Sequence, residues 1–305
     1  MTTLTTRVAR VARTTRRTRE PEDLPPRSIA PRPLARVLTI AVLLVATAYF
    51  VLPVVWLLIA STKSNGDLVS TFGFWFADMN LAANYTSLMG WTQGLFWRWV
   101  GNSIFYSLAA GLVGTLVSVM AGYAAAKFAF PGKRLVLGVT LSGLLLPTVL
   151  LTIPLYLVFQ AIGLTNTPWA VIIPSAVSPF GVFLATVYAQ TSVPDELMEA
   201  ARLDGAGEAR IFFDLVLRLL APAMVTIFLF IFVATWNNFL LPLLMLSSPE
   251  LKPVTLGLYG MMSYFDPDKG AVMLGALLGV VPLVVLFIGL QRYWRSGLAA
   301  GAVKG

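Results

Sequence analysis

Six apolar runs, each long enough to cross a bilayer, limit what this chain can fold into. They lie at about 36–60, 102–126, 134–158, 168–190, 222–246 and 271–292. A helix crosses the hydrocarbon core in roughly 20 residues, and only helices or closed barrels leave no backbone group unpaired there. The runs show none of the ten-residue alternation of barrel strands. The fold class is therefore all-α integral membrane, with six transmembrane helices. Composition agrees: 57% of residues are hydrophobic and 12% charged, about half the charge of a soluble domain. Pro53, Pro147, Pro154, Pro174, Pro179, Pro242 and Pro282 fall within the runs. Membrane helices take up proline as kinks where neighbours re-pair the freed groups.

Charge placement orients the spans. Nine Arg stand against Glu20, Glu22 and Asp23 in the first 36 residues. With that end in the cytoplasm, Lys127, Lys133, Arg134, Arg202, Arg210, Arg218, Arg292, Arg295 and Lys304 also face inward, and only Lys63, Arg98, Lys252 and Lys269 face out. Both termini are expected inside. The first apolar run is too long for a signal peptide and lacks a small-residue cleavage site, so it reads as a retained span. The basic head (1–35) has no aromatic residue; it reads as a disordered topology signal attracted to membrane lipid, with no nucleic-acid partner. Outside, Phe72, Phe74, Trp75, Phe76, Trp91, Trp97 and Trp99 fit an interfacial aromatic belt.

Several chemistries drop out. The chain has no Cys and no His, which removes thiolate metal sites, histidine ligands and histidine-based triads. A membrane-bound enzyme would need clustered acid–base or metal groups, and none is visible. The spans hold almost no ionisable residue, unlike most ion-coupled carriers. The only Gly-Lys pair, Gly132-Lys133, lacks the upstream glycine of a phosphate-cradling loop. A driven transporter of this kind needs a separate ATPase and a surface to receive its stroke. Small residues repeat at four-residue spacing at Ser107, Gly111 and Thr115, at Ser118, Gly122 and Ala126, and at Gly275 and Gly279; such faces let helix backbones approach closely.

The segment 193–221 is charged although apolar runs flank it. Pro194 suits a first helical position, and Asp195 and Glu196 favour a helix N-terminus. Leu197, Ala200, Ala201 and Leu203 give this helix an apolar side, and Asp204-Gly205 supplies a break. A second helix from about Ala206 would carry an apolar ridge at Ile211, Leu215 and Leu219 and a charged one at Arg210, Asp214 and Arg218. Physics alone allows an ordinary amphipathic loop as well as a docking knob.

"EAARLDGA", Glu199 to Ala206, resembles the EAA loop of binding-protein-dependent ABC importers. "AGYAAAKFAFPGKR" (121–134), "IPLYLVFQAIGLTNT" (153–167), "VPDELMEAARLDGA" (193–206), "WNNFLLP" (236–242) and "GLAAGAVKG" (297–305) extend the likeness to carbohydrate permeases of the maltose-transporter type, over roughly 80–305. The nearest likeness is to their second, six-span membrane subunit. The resemblance implies a helix–turn–helix coupling loop inserted into a cytoplasmic ATPase, with Glu199, Ala200, Ala201, Asp204, Gly205 and Ala206 at the contact. Glu199 would pair with a basic group of the ATPase, or merely with Arg202. The family loop commonly closes with Ile-x-Leu-Pro; here Leu215-Val216-Leu217-Arg218 lacks the proline, so the second helix should run on through Arg218. The tail "AAGAVKG" would be a second ATPase contact or a frayed end. Trp236, Asn237 and Asn238, placed inside span five, serve either as interhelical glue or as a sugar path.

The organisation expected is a basic tail (1–35), a first span with its external loop (36–101), an importer core (102–292, coupling loop 193–221) and a C-terminal tail (293–305). The chain itself would hold no cofactor. ATP-Mg would bind partner subunits: two ATPases, acting with a second permease and an extracytoplasmic solute-binding protein. The rival reading is a stand-alone channel or secondary carrier whose inner loop is only a tether.

Overall fold

The computed structural model describes residues 33–262 and 268–302, with backbone alone at 33, 292 and 294–302. The basic head up to residue 32 and the last three residues of the tail lie outside the described residues. Every regular element among the described residues is helical. The chain divides into two units, Met1–Val51 and Leu52–Gly305. The first contains the opening turns of α1 (Pro33–Ala60), whose apolar side chains are exposed. All later helices belong to the second unit.

Among the described residues, four helices are long and apolar enough to cross a membrane, or up to six spans if each of two bent pairs is counted as one. The central one is α4 (Phe96–Lys127), which begins six residues before the expected start of its span and buries one side along its whole length. Against it pack α7 (Trp169–Ala176) with α8 (Pro179–Ser192), and α11 (Ala221–Trp236). The small-residue face of α4 makes this possible. A Cβ on Gly122 would stand 2.5 Å from the Ala185 Cβ and 2.7 Å from the Thr186 nitrogen, and one on Gly114 would stand 2.6 Å from the Ala176 carbonyl oxygen. Backbone meets backbone there, so the contact gains dispersion energy that any side chain would prevent.

Three expected spans are not single unbroken helices. The run 134–158 breaks at Leu146-Pro147 into α5 (Lys133–Leu145) and α6 (Thr148–Ala161), 108° apart. The residue before proline is driven out of the helical region, and Leu146 has ψ 123°, so Pro147 ends a helix where a kink was expected. Pro154, by contrast, stays inside α6. Pro179 likewise starts α8, after Val177 and Ser178 interrupt the run 168–190. The run 222–246 divides into α11 and α12 (Leu240–Met245), separated by Asn237–Phe239. The final helix, Lys269–Ala302, continues ten residues beyond the expected end of its span, so much of the supposed C-terminal tail is helical.

The external segment is tied down by polar groups. Asn84 in α3 (Leu81–Trp91), which follows the short α2 (Asn65–Ser70), is buried and donates to the Ser61 and Lys63 carbonyls, both at 2.9 Å. The Lys63 ammonium, also buried, donates to Thr71 Oγ1 and the Phe72 carbonyl at 2.8 Å. Six of the seven belt aromatics are exposed. Trp99 is instead only 6% exposed, with its indole N–H on the Pro249 carbonyl at 2.7 Å. It is a core residue.

Candidate functional site

The charged segment folds as a helix–turn–helix. Helix α9 (Asp195–Leu203) starts one residue later than expected: Pro194, with ψ 138°, is the extended residue before it. Asp195 and Glu196 occupy the first turn and Arg202 the last, as the helix dipole favours. The exit is a Schellman turn: Gly205 N–H donates to the Arg202 carbonyl and Ala206 N–H to the Ala201 carbonyl, both at 3.0 Å. Gly205 has φ +80°, the conformation that disfavours a Cβ. Helix α10 (Glu208–Leu219) then follows, with Ile211–Val216 wound as a π-helix. It continues through Arg218 to Leu219, with Leu220 as its cap, and α11 leaves at 79° with Pro222 in its first turn.

The inner face is set differently from the expected ridges. In α9 the buried residue is Met198; Leu203 is 89% exposed, and Leu197 and Ala200 also face outward. In α10 the π-turn, which spends an extra residue per turn, brings Ile211, Phe212, Val216 and Leu220 to one core with Tyr123, Ala185, Ala189 and Val193. Leu215 and Leu219 are only half-buried, whereas Arg210, Asp214 and Arg218 are exposed as expected. The six predicted contact residues therefore divide. Glu199, Ala200, Asp204 and Gly205 are exposed, while Ala201 and Ala206 are half-buried against the segment's own core. The small side chain at Ala201 serves that packing.

Electrostatics organise the outer face. Arg202 pairs with Glu208 across the turn at 2.6 Å, not with Glu199. The hydrogen bond to Glu208 raises the guanidinium pKa above its ordinary value. Glu199 takes part in no ion pair among the described residues, so its carboxylate is presented outward.

Sequence reasoning misses what fastens the segment to the bundle. Lys127, the last residue of α4, has a largely buried side chain and donates to Asp195 Oδ1 at 2.8 Å. One turn earlier, the Tyr123 hydroxyl donates to Met198 Sδ at 3.2 Å, and its ring packs on Phe128 and Phe212. Local patterns assign Lys127 only to topology and Asp195 only to the helix dipole. A cation ending a span near a loop that opens with an acid is the available signal.

The second predicted site lies at a helix end. Trp236 closes α11, is 3% exposed and stacks on Phe232 with ring centroids 5.9 Å apart; it belongs to the core. Asn237 caps α11, is exposed, and donates back to the Val233 carbonyl at 2.9 Å. Asn238 Oδ1 accepts from the Leu241 N–H at 3.3 Å and so begins α12. The amides are thus occupied with the ends of two short helices. The expectation that they sit within a continuous helix is corrected.

Residues 114–299 match the family described as "binding-protein-dependent transport system inner membrane component". Among relatives, an arabinooligosaccharides transport system permease protein of Halalkalibacterium halodurans is 37% identical over 212 residues, 70% of this chain and 76% of that protein. A lactose transport system permease protein of Rhizobium radiobacter is 31% identical, covering 90% of this chain and 98% of its own. A diacetylchitobiose uptake system permease protein of Streptomyces coelicolor is also 31% identical, over 87% of each. A chain of a bacterial ABC transporter involved in the import of the acidic polysaccharide alginate superposes with a TM-score of 0.75 at 21% identity, covering 87% of this chain and 99% of its own; that likeness shows the fold. An all-helical membrane architecture, the EAA-like turn and the match over more than half the sequence agree: the chain belongs to the binding-protein-dependent transport system inner membrane components, the permease subunits of ABC importers.

Proposed function

We propose that this permease carries a carbohydrate, forming an alternating-access pathway with a second, different permease. Two ATPase subunits would drive it and an extracytoplasmic binding protein would deliver the solute. Both termini and the segment 193–221 lie in the cytoplasm on this reading, consistent with the inward excess of Lys and Arg. ATP-Mg acts in the partner subunits. The observation that carries the reading is the geometry of the helix–turn–helix: a rigid knob anchored by its buried face that presents Glu199, Ala200, Asp204 and Gly205 outward. The sugar class is supported by the named relatives. The exposed Asn237 at the α11–α12 break is offered as a point on the solute path, with Asn238 shaping the break and Trp236 packed behind it.

The test is co-purification from native membranes of the natural chain and of Gly205→Asp. A Cβ at Gly205 would meet nothing within 4 Å, so the variant alters the exposed turn without crowding the core. An ATPase should accompany the natural chain and be lost from the variant. No ATPase with either would favour the stand-alone carrier. Since the chain has no cysteine, single cysteines introduced at Thr2 and Lys304 report sidedness through an impermeant maleimide, and labelling from outside intact cells would overturn the orientation.

A further inference from the structure

The knob joins the bundle through backbone that is not helical. At its start, Val193 and Pro194 have ψ of 100° and 138°; at its end, Leu220 leaves the helical region before α11 turns away. Two such joints make a hinge unless side chains close it. Among the described residues, a single ion pair joins the knob to the bundle, Lys127–Asp195; the other two, Arg202–Glu208 and Arg210–Asp214, are internal to the knob. The Lys127 side chain is 8% exposed and that of Asp195 68%. The lysine's donor geometry is therefore fixed by packing, while the acid reaches it from the exposed side. Tyr123, on the same face of α4 one turn away, reaches Met198 in the next turn of α9.

Resting on the reading that the knob docks an ATPase, we infer that Lys127 and Asp195 form the latch that converts motion of α9 into motion of α4. They are positioning residues: the latch holds the knob's angle and touches neither nucleotide nor solute. Its logic is geometric. The core that Met198, Ile211 and Phe212 share with Tyr123 holds the middle of the knob, but a force applied to the exposed face of α9 would still swing its first turn about Val193–Pro194 unless that turn is held. The latch holds that turn, and α4, packed along its length against α8 and α11, carries the displacement into the membrane.

Asp195→Asn tests this, because it removes the charge while keeping the shape of an exposed side chain. The complex purified from native membranes would carry a fluorophore on a cysteine at Phe105, an exposed residue in the opposite half of α4, in this otherwise cysteine-free chain. Addition of Mg-ATP with vanadate should change its emission in the natural chain. In Asp195→Asn that change should be largely lost, with the ATPase still bound and the melting temperature unchanged. Asp195→Glu should recover it, and Lys127→Met should reproduce the loss. An undiminished response in Asp195→Asn overturns the inference. So does loss of the ATPase from that variant, which would make the pair part of the docking surface. If no ATPase accompanies the natural chain, the proposed function itself has failed.

Discussion

Gly122 and Gly138 both lie in apolar helices, and replacing each by alanine should give opposite results. Alanine is the better helix former by about 1 kcal/mol, which is the whole effect expected at Gly138, where a Cβ meets nothing within 4 Å. At Gly122 the new carbon would stand 2.5 Å from the Ala185 Cβ, 2.7 Å from the Thr186 nitrogen and 2.8 Å from the Ala185 carbonyl carbon. Carbon atoms in good contact sit about 3.5–4.0 Å apart, so α4 and α8 must separate by roughly 1 Å. Two of the three obstacles are backbone atoms and cannot rotate away, which places the strain near the upper end of the ~1–3 kcal/mol found for overpacked cores. Allowing for the propensity gain, Gly122→Ala should lose about 2 kcal/mol and Gly138→Ala should gain up to about 1 kcal/mol. Reversible unfolding in detergent micelles, with both variants measured beside the natural chain, gives the comparison. Equal stability of the two variants would refute the claim that α4 and α8 touch through their backbones.

Asn84→Ala removes both donors that satisfy the Ser61 and Lys63 carbonyls; with those oxygens orphaned, thermal unfolding should report a loss of about 1–3 kcal/mol or more. Trp236→Ala empties a core position and should cost about 3–5 kcal/mol of stability. Asn237→Ala, at an exposed cap, should leave the melting temperature nearly unchanged while lowering uptake of the transported sugar by the purified system. Unaltered uptake of that sugar would remove Asn237 from the solute path.

What the sequence made legible was the part governed by local rules. Hydrophobic length announced the apolar segments, and small-residue spacing announced the α4 face that closes on Ala185. Asp204-Gly205 announced the turn, because a positive φ and a capping geometry depend on a few adjacent residues. Other features depended on partners distant in the chain. Pro147 and Pro154 look alike as letters, yet one ends a helix and the other sits inside one; the difference lies in whether neighbouring structure lets the chain turn. Trp99 resembles its exposed neighbours until Pro249 comes within reach of its indole. The Lys127–Asp195 pair joins residues 68 positions apart, and no periodicity carries that information. The inner face of α10 escaped for a third reason: the expected ridge at Ile211, Leu215 and Leu219 assumes a 3.6-residue turn, and the segment does not have one.

That π-turn bears on how the chain tolerates insertion and deletion. In a plain α-helix, deleting one residue rotates every later side chain by about 100°, which in α10 would swing Val216 and Leu220 out of their core. Ile211–Val216 already holds one residue more than an α-turn needs. A deletion there can be absorbed by rewinding the turn to an α-helix, leaving the residues on either side in register. Permeases whose segment between α9 and α11 is one residue shorter would then be expected to place that gap between Ile211 and Val216, and a gap elsewhere in α10 would mark a loop that meets its bundle at another angle.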